Sequence, residues 1–585
     1  MRADTLTIRN IFQGDTLLRV PYFQRKYVWG AEDWKRFAMD MEGTMESLQK
    51  YFLGAIILKE EDTTIQDKRN GVGRRYLIID GQQRLTTLSI YMKVLHMLTN
   101  KSDDFARQFL LDTDSQTPVL THNWEDLPAY SKVMHLDTPQ ELGKDNKIFE
   151  AYDFFRGHLL ESKERGVSLR DLLTAVNASV TFVAISLDYR DDEQQIFDTI
   201  NSLGAPLTTG ELMKNFLYQA DDEDKYNHNW KPVFDVDPVS RFWDMDRAKS
   251  RQEKGSKTSN IEIFFHTFVR IKMWDFKDRL SIAQRKGFVK TSNVFSTCKA
   301  FVELFGMDRQ ELADEIIVYA KLFRENFDMD VLDEYIPSYS GIKRISCLVN
   351  ATKSYVVIPY ILYVLKNVSD ESERNRIFGY VETYLIRRML ADSNSKSYSE
   401  FFSESLIANR LLTFDALKGF IESKDEDSNL AMPGDSKVEY GIVHREKGLE
   451  ESTVRILYYM YESKVRTSLD ERIQGFSEYQ AEVLMPKPTN GNAANWPCMN
   501  SREREEERGR LIGSLGNCFI MNNAGKKELK KVKDEVFDIK IAVFQNYGEG
   551  IRCNTILKNM FQWTADDINS RNLALSKGFC KVFSI

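Results

Sequence analysis

The run Tyr76-Leu-Ile-Ile-Asp80-Gly81-Gln82-Gln83-Arg84-Leu-Thr86-Thr87 constrains this chain more than any other. Its apolar opening reads as a short buried strand that runs into an Asp-Gly turn. Leu88, Tyr91 or Met92, Leu95 and Leu98 then recur at helical spacing and form one apolar stripe. In this reading Gly81 lets backbone approach a ligand closely, and the first helical amides point freely at the turn, which suits a phosphate. Arg84 adds a forked cation, and Asp80 has the chemistry to hold a divalent metal or orient a water. Gln82, Gln83, Thr86 and Thr87 add neutral donors and acceptors. The same residues also fit a plain strand-turn-helix junction with Asp80 and Thr86 as caps.

At 585 residues the chain has room for two to four domains of roughly 150 residues each. With 42% hydrophobic and 29% charged residues it has the balance of a globular protein with a sizeable core. Its 13 prolines and 30 glycines are too few for a collagenous or linker-rich chain. The longest nearly uninterrupted apolar stretch, Tyr355 to Leu365, falls well short of the ~20 residues of a membrane span. The opening Met1-Arg-Ala-Asp-Thr5 carries no signal-peptide core. A cytoplasmic protein with no membrane partner is expected. Cys298, Cys347, Cys498, Cys518, Cys553 and Cys580 include no Cys-x-x-Cys pair, which excludes an ordinary zinc ribbon and argues against a disulfide scaffold. A net charge of −7 excludes a basic nucleic-acid coat, although a local basic face could still bind DNA.

The expected fold class is α+β and predominantly helical. Residues 1–220 mix signals, with strands at Phe52 to Leu58, Tyr76 to Asp80 and Thr181 to Leu187. Residues 221–421 read as a helical middle domain, with helices at Ile261 to Met273, Arg309 to Phe327, Tyr355 to Lys366 and Arg374 to Leu390. Residues 422–437, acidic and broken by Pro433-Gly434, read as a linker before a helical domain at 438–585.

Two further segments stand out in the first zone. Val20-Pro21-Tyr22-Phe23-Gln24-Arg25-Lys26-Tyr27-Val28-Trp29 sets aromatics around a Gln-Arg pair, and read plainly it is an aromatic cluster with a solvated arginine. Ile196 to Thr208 reads as a helix ended by Asn201 and Gly204, then a second helix through Lys214 capped by Thr208 or Thr209.

In order, Pro21-x-x-Gln24-Arg25-x-x-x-Trp29, Phe52-Leu53-Gly54, the Asp80 to Thr87 motif and Phe197-x-x-x-Asn201-x-x-Gly204-x-Pro206-Leu207-Thr208 resemble the ParB-like N-terminal domain of GmrSD-type (type IV) modification-dependent restriction proteins. The resemblance covers about residues 5 to 220. It implies a module that binds, and often hydrolyses, a nucleoside triphosphate to regulate cleavage of modified phage DNA. Asp80, Gly81, Gln82, Gln83 and Arg84 would line the nucleotide site with Thr86 and Thr87. Gln24 and Arg25 are their partners, and Asn201 and Lys214 are further candidates. Asp80, Gln82, Gln83 and Arg84 form the implied catalytic set, with Asp80 or a neighbouring glutamine positioning the attacking water. The implied cofactors are the triphosphate and Mg2+, with Asp80 the candidate ligand.

The C-terminal zone resembles the HNH-like domain that follows in these proteins. Glu482-Val483-Leu-Met-Pro486, Trp496, Leu515-Gly516-Asn517, Asn522-Asn523, Phe537-Asp-Ile-Lys540 and Trp563 with Ile568-x-x-Arg571 reproduce its frame. Val483 stands where that signature has histidine, the general base in a one-metal HNH site. Valine has no lone pair, and no histidine follows His444, so a degenerate nuclease site is expected. A basic run carrying Lys526, Lys527, Lys530 and Lys531 fits either DNA phosphates or a solvated helix face. Arg387-Arg388, where the family has paired arginines, fits DNA or an internal ion pair.

The expected function is an NTP-binding and NTP-hydrolysing subunit of an anti-phage, modification-dependent DNA restriction system. Its degenerate domain would bind DNA or a nuclease-bearing partner. The alternatives are an active single-chain endonuclease with an unconventional base such as His444, and a non-catalytic nucleotide or DNA sensor. The expected partners are modified phage DNA and a second subunit or another copy of the chain.

Overall fold

The computed structural model describes the chain apart from residues 1, 23, 47–49, 70, 112–116, 124, 188–207, 219–221, 250–256, 289–293, 427, 446–447, 467–472, 487–504, 533–534 and 549. It forms two compact units, Met1–His228 and Asn229–Ile585. The first ends at His228, beyond the expected 220. The zones expected at 221–421 and 438–585 lie together in the second, apart from the first residues after 220.

The N-terminal unit is built on a six-stranded mixed sheet of β1 (Arg2–Thr7), β2 (Thr16–Arg19), β3 (Tyr51–Glu61), β4 (Arg74–Asp80), β5 (Leu120–Thr121) and β6 (Val180–Leu187), in the order β1-β6-β3-β4-β2-β5. β4, β2 and β5 are mutually parallel, and β3 runs antiparallel to β4. Along β4, Ile78 joins the main core, whereas Leu77 and Ile79 pack with Ile57 and Leu187 in a separate cluster, as the two-residue period of a strand requires.

Helix α1 (Ala31–Gly43) and helix α2 (Gln82–Leu98) pack into the main core. The apolar stripe expected on α2 is one face of a helix buried on all sides. From Gln82 to Met97 only Arg84 is less than fully buried. Even Lys93 is enclosed, with its ammonium 4.8 Å from the Phe105 ring centroid and its pKa pulled down to about 8 by burial. Helix α3 (Leu127–Met134) follows β5, and α4 (Thr209–Leu217) begins with a reciprocal Thr208–Glu211 capping box.

The second unit is mostly helical. The helices expected in the middle zone are present at Asn260–Lys272, Arg309–Asn326, Ile358–Asn367 and α6 (Glu371–Leu390). A buried ion pair ties α6 to α5 (Gly341–Thr352) and α8 (Glu451–Val465). The Arg344 guanidinium donates to both Glu382 oxygens at 2.6–2.9 Å, to Ser463 Oγ at 2.9 Å and to the Met460 carbonyl at 2.8 Å. The described residues of 422–437 are held by the paired arginines. Arg387 donates to the Pro433 and Phe583 carbonyls and to Asp435, where α7 (Asp435–Val443) begins, and Arg388 donates to the Ala431 and Asn394 carbonyls. Both arginines are buried, so their bonds are internal.

Replacing Arg344 by alanine leaves Glu382 buried with, among the described residues, only Lys464, at 3.5 Å, for compensation. A loss of about 3–5 kcal/mol is expected, read as a lower urea midpoint.

Candidate functional site

Because β2, β4 and β5 are parallel, their C-terminal residues Arg19, Asp80 and Thr121 finish at one edge of the sheet. Ligands of α/β sheets are commonly received at such an edge. Three segments leave it: 20–30, the Gly81 turn and 122–126.

The Gly81 turn is left-handed, at φ +103°, and a Cβ there would come within 2.7 Å of Ile56 Cγ2. The close approach that requires glycine is thus to β3. No side chain caps α2, so neither Asp80 nor Thr86 serves as its cap. Thr86 and Thr87 instead return their hydroxyls to the Gln82 and Gln83 carbonyls. Arg84 Nη2 donates to Asp80 Oδ2 at 3.0 Å and to the Ala55 carbonyl at 2.7 Å. Its stem crosses β3 at a register shift, where Gly54 (φ +132°) leaves room: a Cβ there would lie 3.1 Å from Arg84 Cδ. Arg84 Nε is buried without a hydrogen-bond partner. The pair is a little under one-third exposed, while this nitrogen is enclosed against Gly54.

The glutamines are used differently. Gln82 Nε2 donates to the Arg25 carbonyl at 2.8 Å and Gln83 Nε2 to the Lys26 carbonyl at 3.1 Å, while Gln83 Oε1 accepts from Val28 N at 2.9 Å. Gln24 reaches the other way and donates to the carbonyls of Ile78 and Ile79. These residues therefore fasten segment 24–28 across the start of α2. Tyr27 adds a buried chain in which Trp34 Nε1 donates to its hydroxyl, itself 2.7 Å from Thr87 Oγ1. The half-buried Arg25 guanidinium has no hydrogen-bond or ion-pair partner among the described residues.

His122, Asn123 and Asp126 were not singled out from the sequence, yet all are buried at this edge. Asn123 Nδ2 donates to the Gln24 carbonyl at 3.0 Å, and Asp126 Oδ2 accepts from Tyr27 N at 2.7 Å. His122 Nε2 lies 3.2 Å from Thr86 Oγ1, and burial pulls its pKa down to about 3, which keeps the ring neutral. Their only sequence signal is a polar His-Asn-x-x-Asp cluster after a strand of two residues. Lys214 is buried on α4, and the Tyr218, Tyr226 and Tyr22 rings link the end of that helix to segment 20–30, with centroids 5.9 and 4.9 Å apart. Asn201 lies outside the described residues.

Among the described residues no group of three His, Cys, Asp or Glu side chains is arranged to hold a metal ion. A magnesium at Asp80 would have one protein carboxylate and would depend on phosphate and water oxygens for the rest of its shell, a donor set ordinary for this ion. The partly exposed Arg84 guanidinium beside that carboxylate has the charge that suits a phosphate as the other component.

In the second unit, β7 (Tyr479–Val483) pairs antiparallel with β8 (Cys518–Asn522), Val483 facing Cys518. Helices α9 (Asn523–Lys531), α10 (Phe537–Tyr547) and α11 (Ala565–Val582) follow. Asn517 is fully enclosed: its Oδ1 accepts from Met485 N and Trp563 Nε1, and its Nδ2 donates to the Met485 and Ile512 carbonyls. Asn522 caps α9, and Asn523 bonds to Gln480 and the Ser477 carbonyl. Buried Lys540 lies 3.4 Å from the Val483 carbonyl. Glu482, its pKa raised by burial, is 3.4 Å from Lys526, which also pairs with Glu451. Lys531 pairs with Glu528, while Lys527 and Lys530 are exposed with no carboxylate partner among the described residues. His444 ends α7 with its ring 4.8 Å from that of Tyr440. Trp496 lies outside the described residues. No helix of the described residues is long and apolar enough to cross a membrane.

The N-terminal unit is thus a mixed sheet whose parallel strand ends gather an Asp-Gly-Gln-Gln-Arg turn and a Gln-Arg loop. Residues 8–218 match the family described as the GmrSD restriction endonuclease N-terminal domain. The chain is also similar to an uncharacterized protein, MJ1544, of Methanocaldococcus jannaschii, at 23% identity over 254 residues. That match covers 40% of this chain and 56% of the relative, so the chain spans little more than half the relative's length.

Burial raises the Asp126 carboxyl to about 6, against the pull of the Tyr27 amide and Lys26. A carboxyl that holds its proton better folded than unfolded favours the fold below its unfolded pKa, and this contribution fades as pH rises through about 6. Asp126→Asn is therefore expected to flatten the dependence of the melting temperature on pH between about 4 and 6.

Proposed function

We propose that this chain is a regulatory, nucleoside triphosphate-hydrolysing component of a modification-dependent DNA restriction system. The observation that carries the reading is the Asp80–Arg84 pair at the parallel strand ends, a little under one-third exposed beside the uncapped start of α2. The match of residues 8–218 to the GmrSD restriction endonuclease N-terminal domain supports the restriction context.

Arg84 would bind the γ-phosphate through the exposed part of its guanidinium while Nη2 stays on Asp80 and the Ala55 carbonyl, which fixes the guanidinium plane. Arg25 supplies a second cation from the fastened segment. The uncapped amides at the start of α2 are further donors to phosphate oxygen. Asp80, through the oxygen turned away from Arg84, orients the water that attacks the γ-phosphorus in line as the bond to the β,γ-bridging oxygen breaks. Bound magnesium, held by Asp80, would supply charge neutralisation across the phosphates. Gln82 and Gln83 act by holding segment 25–28.

The HNH-like region supports a binding role without cleavage, because Val483 offers no base and Asn517 has its amide committed to the fold. Lys527 and Lys530 are the cations left for DNA phosphates on α9. Replacing both by alanine is expected to reduce the slope of log affinity against log salt by about 2.

Phosphate release by the purified chain, with magnesium and each of the four ribonucleoside triphosphates, tests the main reading. Turnover with phage DNA left intact is expected, and Arg84→Ala should lower kcat by about 10³-fold or more. DNA cut by the chain alone, or turnover untouched by Arg84→Ala, would sink it.

A further inference from the structure

Segment 24–28 belongs to no helix or strand, yet its backbone groups are taken up one after another by side chains. Gln82 and Gln83, from α2, hold Arg25, Lys26 and Val28. The two remaining anchors come from the end of β5: Asn123 holds the Gln24 carbonyl and Asp126 holds the Tyr27 amide. These two are also joined to each other, since Asn123 Oδ1 accepts from Asp126 N at 3.2 Å.

Asp126 is unusual for its position. It is the N-cap residue of α3, where an aspartate ordinarily accepts from the amides of its own helix. Here no side chain caps α3, and the carboxylate is turned to Tyr27. It is also buried, where an ionised carboxylate is disfavoured. A carboxylate drawn from its own helix into an apolar setting, to fix one amide of an irregular segment, points to a need for that segment's conformation. The Arg25 carbonyl is gripped at 2.8 Å while its guanidinium has no partner among the described residues. What the grip leaves partly open to solvent is this cation.

We infer that Asn123 and Asp126 are positioning residues that fix segment 24–28 so that Arg25 is presented to the phosphates of the bound triphosphate. The inference rests on the triphosphate reading above. Neither residue touches the ligand; both act through Arg25, and they form the β5 half of a clamp whose α2 half is Gln82 and Gln83.

The test is steady-state phosphate release by the full chain, with magnesium and the triphosphate it turns over best. It compares wild type, Arg25→Ala, Asn123→Ala, Asp126→Ala, Asp126→Asn and the Arg25→Ala/Asp126→Ala double variant, and adds amide hydrogen exchange over 24–28. Asp126→Ala is expected to raise KM about tenfold with a smaller change in kcat, as Arg25→Ala does, and the double variant should be no worse than either alone. Asp126→Asn keeps an oxygen for the Tyr27 amide and should restore KM. Protection of Tyr27 and Val28 should fall in Asp126→Ala and return in Asp126→Asn, which separates loosening of the segment from general unfolding. Multiplying effects of Arg25→Ala and Asp126→Ala, or an unchanged KM when protection is lost, would overturn this inference while leaving the triphosphate reading intact. A wild type that neither binds nor hydrolyses any triphosphate would overturn both.

Discussion

The left-handed turn at Gly81 sets the direction in which α2 leaves the sheet, and the N-terminal site is referred to it. A side chain there would collide with Ile56 on β3, so the helix start lies directly against the neighbouring strand. That closeness lets Arg84, in the first turn of α2, reach the Ala55 carbonyl and Asp80 together. The same strand yields on its other side, where a second left-handed glycine at a register shift, Gly54, clears the path of the arginine stem. Two glycines far apart in sequence thus serve one guanidinium.

Neutral amides do the fastening around it. Glutamine and asparagine side chains present donors and acceptors that match a peptide group, so they can hold irregular backbone without burying charge. Gln24, Gln82, Gln83 and Asn123 are all buried, and each bonds a backbone carbonyl of another segment. The charged groups beside them include the Asp80–Arg84 pair, Arg25, Lys26 and Lys214. Arg25 is in this way not consumed in holding the fold.

The second unit uses charge in the opposite sense. Arg344, Arg387, Arg388 and Arg571 are buried and donate mainly to backbone carbonyls and enclosed carboxylates, so they join helices that are far apart in sequence. These arginines are structural, and the unpaired cations on α9 are fewer than its lysine count indicates. Lys526 and Lys531 are already matched by glutamates.

The sequence by itself determined the elements whose signals are local. The β4-turn-α2 junction, the long helices of the second unit and the strands at 51–61 and 180–187 follow from apolar periodicity and turn chemistry, and the motif residues were legible as a set. The sheet order was not, because β2 and β5 have four and two residues and acquire strand geometry only by pairing. The roles within the motif were also decided by tertiary structure. A glutamine beside a phosphate-type turn reads as a ligand donor until the chain brings the backbone of 25–28 within 3 Å of it. Asn123 and Asp126 acquire meaning only when β5 sets them against a segment about a hundred residues earlier, since hydrogen-bond partners are chosen by distance in space and leave no period in the sequence.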